Sequence, residues 1–237
     1  MSTSSARWSS FALFGLFTAA VALAAAPAGT APAAAAASRP STTRFAKDIA
    51  AFEAADLKSP PPKNAFLFVG SSSIRMWRTL AKDFPEVPVI NRGFGGSTIR
   101  DCIQYADRIV IPYQPRKIIF YAGDNDLASG RTAEGVLEDY KEFVAKIRAG
   151  VGADVPIDYI SIKPSVRRLP VMEKMRKANA LIADYCRTGT NLGYIDVFAP
   201  MLAPDGSPRK GIFLADDLHM NAEGYKIWVD LVRPRLK

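Results

Sequence analysis

Ala65-Phe66-Leu67-Phe68-Val69-Gly70-Ser71-Ser72-Ser73 is the stretch on which the reading of this chain turns. Five apolar residues with no polar alternation suit a strand covered on both faces, the pattern of a parallel sheet. The glycine and three serines that follow suit a tight strand-to-helix turn. Similar apolar runs occupy 87–91, 117–121, 155–160 and 192–197. Helical stripes lie between or after them: Val136, Tyr140, Phe143, Val144 and Ile147; Met175, Ala178, Ile182 and Tyr185; Ile227, Trp228, Leu231 and Val232, the last started by Asn221 as N-cap. The strand-then-helix rhythm predicts an α/β fold built on one doubly wound parallel sheet of five strands. Sites in such folds gather at the carboxyl ends of the strands.

Polar clusters fall at those ends. Gly70-Ser71-Ser72-Ser73 follows the first strand, 91–98 the second, and Gly123-Asp124-Asn125-Asp126 the third. The chain has one histidine, His219, in Asp216-Asp217-Leu218-His219, just before the last helical stripe. A serine hydroxyl needs an adjacent base to act as a nucleophile at neutral pH. Ser72 is therefore the candidate nucleophile and His219 its only imidazole base. Asp216, three residues before His219, is spaced to hold the Nδ1–H and leave Nε2 for the serine proton. Asp217 is the alternative partner, although an adjacent residue normally points elsewhere. Acyl transfer also needs donors aimed at an oxyanion. The Ser72 N–H, the Gly96 N–H and the Asn125 amide are the candidates, since glycine allows close backbone approach. Asn91, with donors and acceptors on one amide, suits a bridge between loops, and Asp124 joins it as a supporting residue.

The amino terminus reads as a separate segment. Arg7 precedes an apolar stretch over 11–26 and Ala/Pro/Gly-rich sequence to Ala37, the layout of a secretory signal peptide. Cleavage after Ala26 or near Ala37 fits. The apolar part is short for a span of ~20 residues, so no stable membrane insertion is expected once it is removed, and the protein is expected to be periplasmic or secreted. The domain plan is 1–37 signal and tail, 38–62 an amphipathic lead-in ending in Ser59-Pro60-Pro61-Pro62, and 63–237 one domain. Net charge is +8, but basic residues alternate with acidic ones and no aromatic-interleaved basic stripe appears, which argues against a nucleic-acid partner. Cys102 and Cys186 sit among apolar neighbours in helical sequence and read as buried free thiols, with a disulfide the alternative that an exported compartment permits.

On these blocks the chain resembles the SGNH, or GDSL-type, hydrolase family. Gly70-Ser71-Ser72-Ser73 corresponds to the nucleophile block, 91–96 to the block carrying the oxyanion glycine, Gly123-Asp124-Asn125-Asp126 to Gly-x-Asn-Asp, and Asp216-Asp217-Leu218-His219 to Asp-x-x-His. The resemblance spans 66–228. It implies a flavodoxin-like three-layer α/β/α sandwich. It also implies esterase, lipase, thioesterase or carbohydrate deacetylase activity, with no metal and no organic cofactor. One departure is that Ser71 stands where the family places an aspartate before the nucleophile.

The resulting expectation is an exported serine esterase that forms an acyl-enzyme on a small-molecule or polysaccharide ester, with short acyl or acetyl groups foremost. A lysophospholipase or a medium-chain esterase or thioesterase is the alternative. Phe94, Tyr121, Trp77 and Met76 are candidates for an acyl pocket or for packing. Arg75, Arg92 and Arg100 are candidates to meet an acidic sugar or phosphate. Two rivals come from other classes. A metal-dependent phosphoesterase would use Asp124, Asp126, Asp216, Asp217 and His219 as ligands and leave Ser72 and Gly96 without a role. A non-catalytic envelope or carbohydrate-binding module would keep the scaffold alone.

Overall fold

The strands of the computed structural model, which describes residues 44–237, are short and almost entirely buried. They are β1 (Phe66–Gly70), β2 (Val89–Gly93), β3 (Lys117–Tyr121), β4 (Ile157–Ile160) and β5 (Leu192–Ile195). All pair in parallel, in the order β2-β1-β3-β4-β5. The expected signal segment 1–37 and the first residues of the lead-in lie outside the described residues.

Alternate side chains feed two separate cores. Leu67 and Val69, Ile118 and Phe120, and Ile157 and Tyr159 face one layer of helices. That layer comprises α1 (Ala46–Lys58), α4 (Ile99–Ile109), α6 (Ala133–Val151) and α7 (Met172–Thr188). Phe66 and Phe68, Ile119 and Tyr121, and Ile160 face the other layer, which comprises α2 (Ser72–Arg75), α3 (Leu80–Asp83) and α8 (Ala222–Val232). The result is the three-layer α/β/α sandwich that the resemblance implied. The helical stripes read from the sequence lie in α6, α7 and α8, and the Asn221 side chain caps α8 by accepting from the Glu223 and Gly224 N–H groups. Cys102 and Cys186 are buried and free.

Among the strand limits that differ from the sequence reading, the starts of β2 and β4 and the end of β5 have a clear backbone reason. β2 and β4 start after Pro88 and Pro156, which have no N–H to give to a ladder; their carbonyls instead accept from Phe66 and Ile118 at 2.9 Å each. β2 also runs on past Asn91 through Arg92 to Gly93. β5 ends at Ile195, because the Val197 and Phe198 N–H groups donate to Ser161 Oγ at 2.9 and 3.0 Å.

The lead-in packs on the layer it precedes. Phe45 meets Phe94 edge-to-face at 5.0 Å, and Ile49 is fully buried. Asp56 pairs with the guanidinium of Arg92 in β2.

The order places a switch point between β1 and β3, whose following helices (α2, and α5 at Asp124–Ala128) leave the sheet in different directions and open a crevice at its carboxyl edge. The backbones cross tightly there. The Ser71 N–H donates to the Tyr121 carbonyl at 2.9 Å. A Cβ on Gly70, which has φ +140°, would lie 1.8 Å from that oxygen. Gly70→Ala is expected to cost at least ~3 kcal/mol, since clash and backbone conformation add. Gly206→Ala, at φ +80° with open space around it, should cost only ~1 kcal/mol. Urea unfolding of both variants measures the difference, and equal losses would contradict the crossing constraint.

Candidate active site

The β1 turn delivers Ser72 as the first residue of α2, half-buried at the crevice. The Asp216–His219 segment arrives from 147 residues further along the chain and puts His219 Nε2 at 2.9 Å from Ser72 Oγ. His219 Nδ1 lies 2.6 Å from Asp216 Oδ2. An ionised carboxylate only accepts, so Nδ1 carries the hydrogen and Nε2 is left to accept from the serine hydroxyl. Asp216 Oδ1 also accepts from the Leu218 and His219 N–H groups at 3.0 and 2.9 Å. Partial burial pushes this carboxyl up, but the hydrogen bonds from the His219 side chain and the two N–H groups outweigh it and hold it at about 2. Asp216 therefore stays ionised wherever the protein is folded near neutral pH.

The segment is a turn rather than a helix. Leu214 N–H donates to the His219 carbonyl at 2.7 Å, and Asp217 sits in the left-handed region at φ +56°. Asp217 serves the turn, its carbonyl accepting from Arg167 N–H at 3.0 Å, while Asp216 faces the imidazole.

The three candidate donors line the same crevice. Ser72, Gly96 and Asn125 bound a cavity of about 360 Å3 together with Arg75, Met76, Arg78, Gly95, Leu218 and His219. Asn125 Nδ2 donates one hydrogen to the Ser97 carbonyl at 3.1 Å, and its Oδ1 accepts from Arg168 Nη2 at 3.0 Å. The amide orientation is thereby fixed, and one Nδ2 hydrogen is left to give. Asn91 bridges strand and turn: its Nδ2 donates to the Ile74 carbonyl at 2.7 Å and its Oδ1 accepts from Gly93 N–H at 2.9 Å.

Asp124 and Asp126 point away from Ser72 into the protein. Asp124 is buried, and it exerts the strongest attraction on the fully buried Lys163 ammonium. Burial pushes Lys163 down, against the pull of Asp124. Lys163 Nζ donates to the Leu218 carbonyl at 2.8 Å and so holds the Asp216–His219 turn from beneath. Neither Lys163 nor Arg168 was singled out from the sequence. Only position marks them: 161–168 directly follows β4 at the same sheet edge as the other blocks.

Among the acyl-pocket candidates, Phe94, Tyr121 and Trp77 are fully buried core residues, and only Met76 lines the cavity. Arg92 and Arg100 are committed to Asp56 and Asp139, which leaves Arg75 facing the crevice. The five side chains proposed as metal ligands do not converge. Among the described residues, no group of three or more His, Cys, Asp or Glu is arranged to hold a metal.

Asp126 Oδ1 accepts from Ile99 N–H at 3.0 Å and ties α5 to the start of α4. Burial, with Asp124 and Asp139 nearby, pushes its carboxyl up to about 7 despite that bond. A raised acid contributes its full stability below the unfolded value of about 3.9, and that contribution is lost as pH rises through about 7. Asp126→Asn keeps the acceptor and removes the titration. Its stability relative to the native protein should therefore improve steadily from about pH 4 to pH 8. Urea midpoints measured across that range check this, and a constant difference would contradict it.

Comparison with known proteins bears on the whole arrangement. The model of the GDSL-like Lipase/Acylhydrolase family matches residues 68–227. No curated protein sequence matches the chain. Among solved structures, a GDSL-like lipase from Bacteroides thetaiotaomicron superposes with a TM-score of 0.67 at 18% identity, covering 80% of this chain and 97% of that one. The lipase/acylhydrolase from Enterococcus faecalis gives 0.57 at 21%, covering 73% and 97%. A Geobacillus acetyl-xylooligosaccharide esterase gives 0.55 at 17%, covering 72% and 94%. At these identities the likeness carries the fold, and the family model carries the membership. With its sandwich fold and a match over more than half its length, the chain belongs to the GDSL-like lipase/acylhydrolase family of ester hydrolases.

Proposed function

We propose that this protein is an exported serine esterase that removes short acyl groups, acetyl foremost, from carbohydrate. The observation that carries the reading is the continuous line from Ser72 Oγ through His219 to Asp216, at 2.9 and 2.6 Å. Ser72 Oγ attacks the ester carbonyl and His219 Nε2 takes its proton. The tetrahedral oxyanion is met by the Ser72 and Gly96 N–H groups and by the free hydrogen of the Asn125 amide. Collapse breaks the C–O bond, His219 returns the proton to the departing alcohol oxygen, and the acyl group stays on Ser72. Water then attacks with His219 as base, and the acid leaves.

Two observations support a short acyl group. The cavity is about 360 Å3, and Met76 and Leu218 are its only large apolar side chains. The aromatic residues that would build a deeper trough are spent in the core. A fold neighbour is an acetyl-xylooligosaccharide esterase, which supports carbohydrate as the alcohol. Export rests on the apolar segment over 11–26. Among the described residues no helix is long and apolar enough to cross a membrane.

Ser72→Ala is expected to abolish turnover of 4-nitrophenyl acetate while leaving the thermal midpoint nearly unchanged. An organophosphonate should label Ser72 alone. Residual turnover well above background, or a label on Ser71 or Ser73, would contradict the assignment. Across 4-nitrophenyl esters, kcat/KM should drop from acetyl to octanoyl; the reverse order would favour a medium-chain esterase or lysophospholipase.

Asn125→Ala should lower kcat by about 100-fold or more, the usual cost of one oxyanion donor, with KM little changed. Arg168→Gln should reproduce part of that loss in kcat, because the amide is then free to flip. A raised KM with normal kcat in either variant would place the pair in ground-state binding instead.

A further inference from the structure

Resting on the esterase reading, we propose that Arg75 and Arg78 form an anion subsite beside Ser72, so that the natural ester carries an anionic oxygen group, carboxylate or phosphate, close to the bond that is cleaved. Both arginines line the cavity that holds Ser72 and His219, and no acidic side chain lines it. Two other guanidiniums near the crevice already have partners. Arg44 donates to the Gly96 carbonyl at 3.0 Å and lies 3.6 Å from Asp101, and Arg168 donates to Asn125. Among the described residues, no hydrogen bond or ion pair engages the guanidinium of Arg75 or Arg78.

The protein also makes room for Arg75. A Cβ on Gly95 would lie 2.4 Å from Arg75 Nη1, so the guanidinium rests over Gly95, next to the oxyanion glycine. Gly93 gives similar clearance to the Arg75 backbone, since a Cβ there would lie 2.2 Å from its N atom. Arg75 closes the short helix that Ser72 opens, so its position is tied to the nucleophile. Two unpaired cations in one cavity repel each other, and an oxyanion group bound in the guanidinium fork relieves that while satisfying planar donors. The site is open to solvent, so salt should weaken the effect.

Three methyl glycoside acetates that differ only at C6 test this: a neutral hydroxymethyl, a carboxylate and a phosphate monoester. At low salt the native enzyme should turn over at least one anionic ester with kcat/KM about tenfold or more above the neutral one, and roughly 0.5 M NaCl should shrink that ratio. The better of the two anionic esters identifies the group. Arg75→Gln should lower the anionic-to-neutral ratio by about tenfold, Arg78→Gln by less, and Arg75→Lys should restore part of it. A native ratio near one would overturn the subsite. So would an equal loss on all three esters in Arg75→Gln, which would put the guanidinium on the oxyanion common to every ester. Turnover of 4-nitrophenyl acetate, abolished by Ser72→Ala, reports separately on the esterase reading. If that turnover is absent, calorimetric titration of the three deacetylated glycosides into Ser72→Ala protein still decides the subsite. Tighter anionic binding that Arg75→Gln removes in that background supports it, and equal or absent binding overturns it.

Discussion

One hydrogen bond, from the Ser71 N–H to the Tyr121 carbonyl at 2.9 Å, governs the geometry of the site. It joins the turn after β1 to the end of β3 at the point where their helices diverge. Ser72 therefore stands at a set distance from Asn125, which begins four residues after Tyr121. The bond forms only because Gly70 lets two backbones approach where a methyl group would overlap a carbonyl oxygen. Asn91 then ties the same turn to β2, and Tyr225 Oη donates to the Ser73 carbonyl at 2.9 Å from α8. The turn that carries Ser72 is thus held from three sides.

The reverse side of the site is held by charge rather than by packing. Lys163 is fully buried and supports the Asp216–His219 turn through the Leu218 carbonyl, with Asp124 as its counter-charge. This gives the Gly-Asp-Asn-Asp block a double duty. Asn125 faces the crevice, while Asp124 and Asp126 face inward, one toward Lys163 and one toward the start of α4. Four consecutive residues thereby couple the Asn125 side of the crevice to two neighbouring elements.

The surface of the crevice follows a different logic. Most cations near it are consumed by internal partners, so the arginines that remain unpaired stand out by position rather than by number. Arg92 and Arg100 are as basic as Arg75 in the sequence, yet each serves a structural carboxylate. What distinguishes Arg75 is its place on the turn that carries Ser72, over a glycine that leaves space for it.

The sequence by itself determined the layers, the five parallel strands and the convergence of four blocks at one edge. Those features depend on apolar periodicity and on local turn chemistry, which are written in neighbouring residues. It also named His219 as the one imidazole base on offer and Ser72 as the candidate it would serve. Tertiary structure alone decided which aspartate faces the imidazole, which aromatic residues became core, and which arginines kept a free guanidinium. It also revealed Lys163 and Arg168, whose partners lie 55 and 43 residues away along the chain. Burial, pairing and the orientation of an amide are set by groups that meet only after folding, and no local pattern records which of them will meet.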